Sequence, residues 1–320
     1  MSSSVDIPTG EVAPSAEPGT GSGAGGSLWA DARRQLLRSP LFLLAVLIVL
    51  IVVSMALFPT LWTDIAKDEC DIRVNRTPPD WFPGGLPLGA DPATARDSLL
   101  GTTTLGCDMY SQLIWGARPS IQVAVVVTGL TALIGTTLGI ISGYYGGIVD
   151  TIISRGTDVV LGIPFLLGAL LFLALLRSQS IWSVTLVLVA LGWTQMTRIV
   201  RGTVIQLRDQ DFIEAACALG STNSRIIVKH ILPNALAPIV VLSTLYVGTF
   251  VAAEATLTFL GVGLQLPEVS WGITIAQGQD LAVAGYPHLL VFPCIILIFA
   301  VLSFIVMGDK LRDALDPKGH

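Results

Sequence analysis

The stretch Leu41–Phe58 reads LFLLAVLIVLIVVSMALF, carries no charge, and is closed at its two ends by Pro40 and Pro59. A helix needs about 20 apolar residues to cross a bilayer, and this run comes close to that length. Five further stretches resemble it. Ile121–Ile141 lies inside an uncharged region that runs from Pro119 to Val149. Val159–Leu176 follows, then Ile181–Thr197 after a short RSQS break. Leu236–Phe259 holds one acid, Glu254, and Leu289–Met307 is the last. In hydrocarbon an isolated strand would leave its backbone groups unpaired, so each span must be helical. The sequence predicts an all-α integral membrane protein with six transmembrane helices.

Composition excludes the main alternatives. Of the 320 residues, 52% are hydrophobic and 13% charged, and mean hydropathy is +0.72. A soluble domain is about one-quarter charged, so two soluble domains, which the length alone would permit, do not fit. The net charge of −5 argues against a nucleic-acid partner. The bilayer is the expected one.

Residues 1–27 are rich in Ser, Gly and Pro and poor in bulky apolar side chains. Such a segment cannot offset its ordering entropy by burial, and it lacks the charged start and apolar stretch of a signal peptide. It reads as a disordered tail. Residues 28–58 hold a short amphipathic lead helix, with Trp29 at the interface, and the first span. Residues 59–118 form a long loop, 119–308 a core of five spans, and 309–320 a second tail. Lys and Arg flank the spans unevenly: twelve fall on the side of the two termini and one, Arg177, on the other, leaving the long loop aside. That bias places both termini in the cytoplasm.

Cys70 and Cys107 then share the extracytoplasmic loop, Cys217 the cytoplasmic connection, and Cys294 the last span. No pair has CxxC spacing, so no metal site is expected. An oxidising exterior favours a Cys70–Cys107 bridge; two free thiols are the alternative.

The connection 198–235 is the most specific part of the chain. Asp211 can cap a helix with Glu214 three residues on, an acidic analogue of the capping box. Gly220 suits the left-handed position past its last turn. Phe212, Ala216 and Leu219 fall on one face at helical spacing. Ser221 or Thr222 then starts a second helix that should end before Pro233. Capped helices with an apolar face, placed where neither lipid nor core requires them, point to a docking surface rather than a solvated connector.

Glu214-Ala215-Ala216, three residues and Gly220, then Pro233 thirteen residues later in HILP, resembles the EAA signature of ABC importer permease subunits. His230 stands where that family commonly has Ile and is similar to the peptide-transporter branch. Three more stretches resemble the C-type subunit of dipeptide and oligopeptide permeases: Gly101–Asp108 with Leu113–Arg118; Gly143–Gly147 with Asp150 and Asp158; and Gly308–Pro317. The resemblance implies a type I importer fold and a bacterial inner-membrane location. It also implies a homologous second permease subunit, two ATP-binding subunits, and an extracellular solute-binding protein. The helix at Asp211–Gly220 would couple to the ATPase, with Ala215 and Ala216 small because the partner approaches there. Cargo would be a di- or oligopeptide, with nickel or another small solute as the alternative. Thr103 replaces a usual Asp and Cys107 a usual Arg, and this pairing of an unusual Cys107 with an extra Cys70 favours the bridge.

No GxxxxGK[ST] occurs, so ATP and Mg are expected on partner subunits and the chain itself is expected to be non-catalytic. Glu254 is the only acid inside a span and is a candidate for the translocation pathway, against a structural hydrogen bond. An ion-coupled secondary transporter would need several intramembrane ionisable groups and an internal repeat; neither is evident.

Overall fold

The structure, a computed structural model, describes residues 28–79 and 98–315. The tail 1–27, the end 316–320 and the middle of the long loop lie outside the described residues. The lead helix α1 (Leu28–Leu36) forms as expected. Ser39 caps α2 (Pro40–Leu57), its hydroxyl accepting from Phe42 N at 3.4 Å, and Pro40 occupies the first turn, where a missing N–H costs nothing. Leu44, Leu47 and Leu50 are exposed on α2, whereas small Ala45, Val52 and Ala56 are buried toward α3 and α11. That is the division expected between a lipid face and a protein face.

The centre of the bundle is the pair α3 (Met109–Tyr145) and α6 (Ile181–Arg208). Glycines at every fourth position of α3 make this contact close. A Cβ on Gly135 would lie 2.6 Å from Met196 Cβ, one on Gly139 2.7 Å from Val200 Cβ, and one on Gly143 2.9 Å from Val204 Cβ. Lipid tails are as apolar as leucine, so helices in a membrane associate largely through van der Waals packing, which a small-residue stripe permits. Helices α9 (Leu232–Phe259) and α11 (His288–Leu315) pack around this pair, and α10 (Trp271–Val283) fills the space between α3, α9 and α11.

Besides longer helix ends, as at α6, which runs eleven residues past Thr197, three features differ from the sequence reading. The third span is not one helix: α4 (Gly147–Leu161) and α5 (Phe165–Leu176) meet at 82°. Pro164 has no N–H to give, and the residue before a proline avoids the helical region, so the chain breaks at Gly162-Ile163-Pro164. At 12 residues α5 is about 18 Å long, too short to cross alone. The described residues therefore hold five helices long enough to span, or six if the bent pair counts as one. The long loop ends ten residues early, because Asp108 caps α3 by accepting from Ser111 N at 2.7 Å. Finally, the helix after Thr222 does not stop before Pro233. It passes from α8 (Asn223–Ile226) through a π turn (Ile227–Ile231) straight into α9. The wider turn leaves room for the proline ring, which would clash with a carbonyl four residues back in regular helix.

Beyond the start of α3 the loop is folded. Ser111 Oγ and Trp115 Nε1 each donate to Ile65 O at 3.0 Å, and Gln112 Nε2 donates to Lys67 O at 2.8 Å. Thr77 N donates to Thr102 Oγ1 at 2.9 Å, and Arg76 N to Thr103 O at 3.0 Å. Cys70 and Cys107 are joined as a disulfide across this pairing. The cross-link spans 37 residues, which in the chain-entropy treatment is worth about 4 kcal/mol before native strain. Peptide mass spectrometry without reduction should find the two cysteines linked in the purified protein. Full alkylation of both thiols in unreduced protein would contradict the bridge.

Candidate functional site

At Arg208 the chain leaves α6 through a tight turn in which Gln210 N donates to Leu207 O at 3.2 Å. That turn sets Gln210 in extended conformation, so Gln210 and not Asp211 is the N-cap of α7 (Asp211–Ala218). No side chain caps the helix, so Asp211 and Glu214 do not form the reciprocal pair expected from sequence. Both still lie in the first turn, where negative charge suits the helix dipole. Gly220 behaves as anticipated: its φ is +76°, its N–H donates to Cys217 O at 2.9 Å, and Ser221 N donates to Ala216 O at 3.1 Å.

Burial separates the three residues read as one apolar face. Ala216 is buried with Ile213 against the protein's own helices, whereas Phe212 is 43% exposed and Leu219 87% exposed. Ala216 is therefore small because its own chain crowds it, and Ala215, which is exposed, stands apart from that contact. The seat of α7 is built from the ends of three helices. Tyr144 OH at the end of α3 donates to Asn223 Oδ1 at 3.0 Å, and Arg208 Nη1 reaches Tyr144 O at 3.4 Å. Phe212 lies 6.4 Å from the ring of His230 in the π turn. Pro233, the last residue of the motif, lies exposed at the start of α9. The result is a short helix lying across the end of the bundle, fixed on one side and presenting phenylalanine and leucine on the other.

Helix α4 is tied to the same end. Arg201 of α6 grips Asp150 with two bonds, Nη2 to Oδ2 at 2.7 Å and Nε to Oδ1 at 2.5 Å. Ser142 and Ser154 also donate to Asp150. Arg198 reaches Asp158 at 2.7 Å. Asp150 and Asp158 thus act as clamps between helices, and their arginine partners lie about 40–50 residues away in sequence, so no local pattern reveals the pairs.

Glu254 lies at the opposite end of the bundle and is completely buried. Ser120 Oγ of α3 donates to Oε2 at 2.8 Å, Thr258 Oγ1 to Oε1 at 2.9 Å, and Ser270, at the head of α10, is a third partner. Trp271 Nε1, next in sequence, donates to Leu113 O at 2.8 Å. The carboxylate therefore ties α3, α9 and α10 together, and no part of it opens toward a passage in this chain. Glu254→Ala would strand three buried hydroxyls at about 1–3 kcal/mol each, and thermal unfolding of the detergent-solubilised protein should show a large loss. Glu254→Gln, which keeps an acceptor, should lose much less; equal losses would contradict a hydrogen-bonding role.

Among the described residues no cluster of His, Cys, Asp and Glu is arranged to hold a metal ion. The sequence reading missed the α3 glycine stripe, although its four-residue spacing at 135, 139 and 143 was a legible signal.

The fold and this site together define a class: a multi-pass helical membrane protein with a short helix presented at one end of its bundle. Residues 135–319 match the family model described as binding-protein-dependent transport system inner membrane component, and residues 27–79 that of the N-terminal transmembrane domain of oligopeptide transport permease C. The chain belongs to the family of binding-protein-dependent transport system inner membrane components. It is 35% identical over 292 residues to the oligopeptide transport system permease protein OppC of Bacillus subtilis (strain 168), covering 91% of this chain and 90% of that one. The dipeptide transport system permease protein DppC of Alkalihalophilus pseudofirmus matches with the same identity and coverage. A solved chain of the MetNI methionine ABC transporter in an inward-facing form shares the fold, with a TM-score of 0.53, 21% identity, and 64% of this chain and 96% of that one covered.

Proposed function

We propose that this chain is the transmembrane permease subunit of an ATP-driven importer of di- or oligopeptides. The observation that carries this reading is α7, which presents Leu219 and the open edge of Phe212 outside the chain's own core. It is supported by the permease relatives, whose names specify oligopeptide and dipeptide transport. Asp211, Phe212, Glu214, Ala215, Leu219, Gly220 and Pro233 form or shape the surface that seats in a separate ATPase; Ala216 braces it from behind. The chain is non-catalytic, and ATP and Mg bind on two partner ATPase subunits. A homologous second permease subunit completes the pathway, and a solute-binding protein delivers cargo from the far side. When the ATPases close, α7 moves with them, and the clamped ends of α3, α4 and α6 transmit that movement as a rigid unit.

The test is purification in mild detergent from the cells that natively make this chain. An ATP-hydrolysing subunit should co-elute with this chain, and a preparation that never carries one would overturn the reading. Topology is tested separately. Reporters at Ser2 and His320 should both be cytoplasmic, since the lysine and arginine bias is so uneven. Labelling of either end by an external protease would refute that orientation.

A further inference from the structure

Helix α6 presents opposite chemistry on opposite sides. Met196, Val200 and Val204 are buried against the glycine stripe of α3. At 100° per residue Gln195, Arg198, Gly202 and Gln206 lie on the other side, and Gln195, Arg198 and Gln206 are exposed along it. Arg198 is held by Asp158. Gln195 forms no hydrogen bond to any described residue, and no described atom comes within 4 Å of a Cβ placed on Gly202. Gln195 lies inside the span Ile181–Thr197, where a carboxamide without a partner cannot face hydrocarbon without a desolvation cost, and Arg198 and Gln206 continue the same face toward the end that carries α7. Gln195 also lines a cavity of about 300 Å³ at the inside of the α4–α5 bend, with Ile163, Phe165, Leu191, Phe250 and the exposed Thr249 of α9.

We infer that the stripe beginning at Gln195, together with Thr249 across the bend, is this chain's wall of the water-filled translocation pathway. The inference rests on the importer reading and gives that reading a location, which Glu254 does not supply. The chemistry suits a peptide. A carboxamide offers one acceptor and two donors to a main chain, and the surrounding apolar side chains accept side chains of many kinds without demanding one. The break in the third span has a role in this arrangement: by turning α5 away from α4 it leaves the Gln195 face of α6 uncovered. Irregular backbone at membrane depth is tolerated where it is buried in protein or lines such a cavity.

Single cysteines at Gln195, Thr249 and Leu186 test this in the assembled transporter, reconstituted in lipid vesicles. Cys217 and Cys294 are changed to serine beforehand, and the Cys70–Cys107 bridge is kept. Leu186 is 64% exposed on the side of α6 away from the stripe. A water-soluble, membrane-impermeant maleimide, admitted to both faces, reads each position. Thiols react as thiolates, and each pKa unit that hydrocarbon adds reduces the thiolate about tenfold at a given pH. Both Gln195→Cys and Thr249→Cys should therefore react at least about tenfold faster than Leu186→Cys in the same complex. Reaction at only one of the two, or rates equal to that of Leu186→Cys, would overturn the inference and place this face against lipid or the second permease subunit. Co-elution of the ATPase does not depend on the labelling rates, so failure here would leave the importer reading standing.

Discussion

Gly139→Leu is expected to leave almost no folded protein in the membrane. The added Cβ alone would sit 2.7 Å from Val200 Cβ and 2.9 Å from Thr197 O, and the remaining leucine atoms have nowhere to go between two helices already in contact. Overpacking a core typically costs about 1–3 kcal/mol. Here α3 and α6 must separate along their length, which also loosens the contacts at Gly135 and Gly143. Gly139→Ala should fall in the lower part of that range. Gly129→Leu, on the same helix but with no described atom within 4 Å of an added Cβ, should be tolerated. Trypsin resistance of the membrane fraction and the yield of monodisperse protein measure the outcome. Normal yield of Gly139→Leu would mean that the α3–α6 contact is not the centre of the fold.

Leu219→Asp combined with Phe212→Ala should abolish ATPase binding while leaving the bundle intact. Leu219 is 87% exposed and Phe212 43% exposed, and neither belongs to the buried core, so their removal costs the chain only the Phe212 contact with His230. Hot-spot residues in well-packed interfaces are commonly worth about 2 kcal/mol or more each when truncated. Two such losses reduce partner affinity by roughly a thousandfold, enough to separate the subunits during purification. Ala216→Leu should also uncouple transport, but by lifting α7 off its own helices, so protease resistance near the loop should fall as well. Gly220→Val strains a residue at φ +76° and should resemble Ala216→Leu more than the surface pair. Wild-type peptide uptake by the Leu219→Asp, Phe212→Ala protein, with the ATPase still bound, would show α7 to be only a connector.

Five of the six spans were legible because lipid imposes a single rule on them, uncharged, apolar and long; the third obeys it in composition yet breaks at Pro164. Leu41–Phe58 satisfies that rule by itself, and its helix lies within one residue of those bounds. Gly220 was equally plain, since a positive φ after a short helix favours glycine whatever surrounds it. The coupling signature could be read for a related reason, as it is a local pattern of cap, apolar spacing and turn. Its cap nevertheless falls one residue earlier than the sequence suggests, because the turn leaving α6 sets Gln210 first.

What only the tertiary structure decided depends on partners distant in sequence. Ala216 and Phe212 look alike on a helical wheel, yet one faces the bundle and the other faces out, because the ends of α3 and α6 lie beneath one side of α7. Glu254 could be read as a pathway group until Ser120, 134 residues away, and Ser270 closed around it. Asp150 needed Arg201, and the glycines of α3 needed Met196, Val200 and Val204. Hydrophobic burial in lipid follows composition and can be read along the chain. The pairing of polar groups and the closeness of two helices depend on which surfaces meet, and that is settled only when the bundle closes.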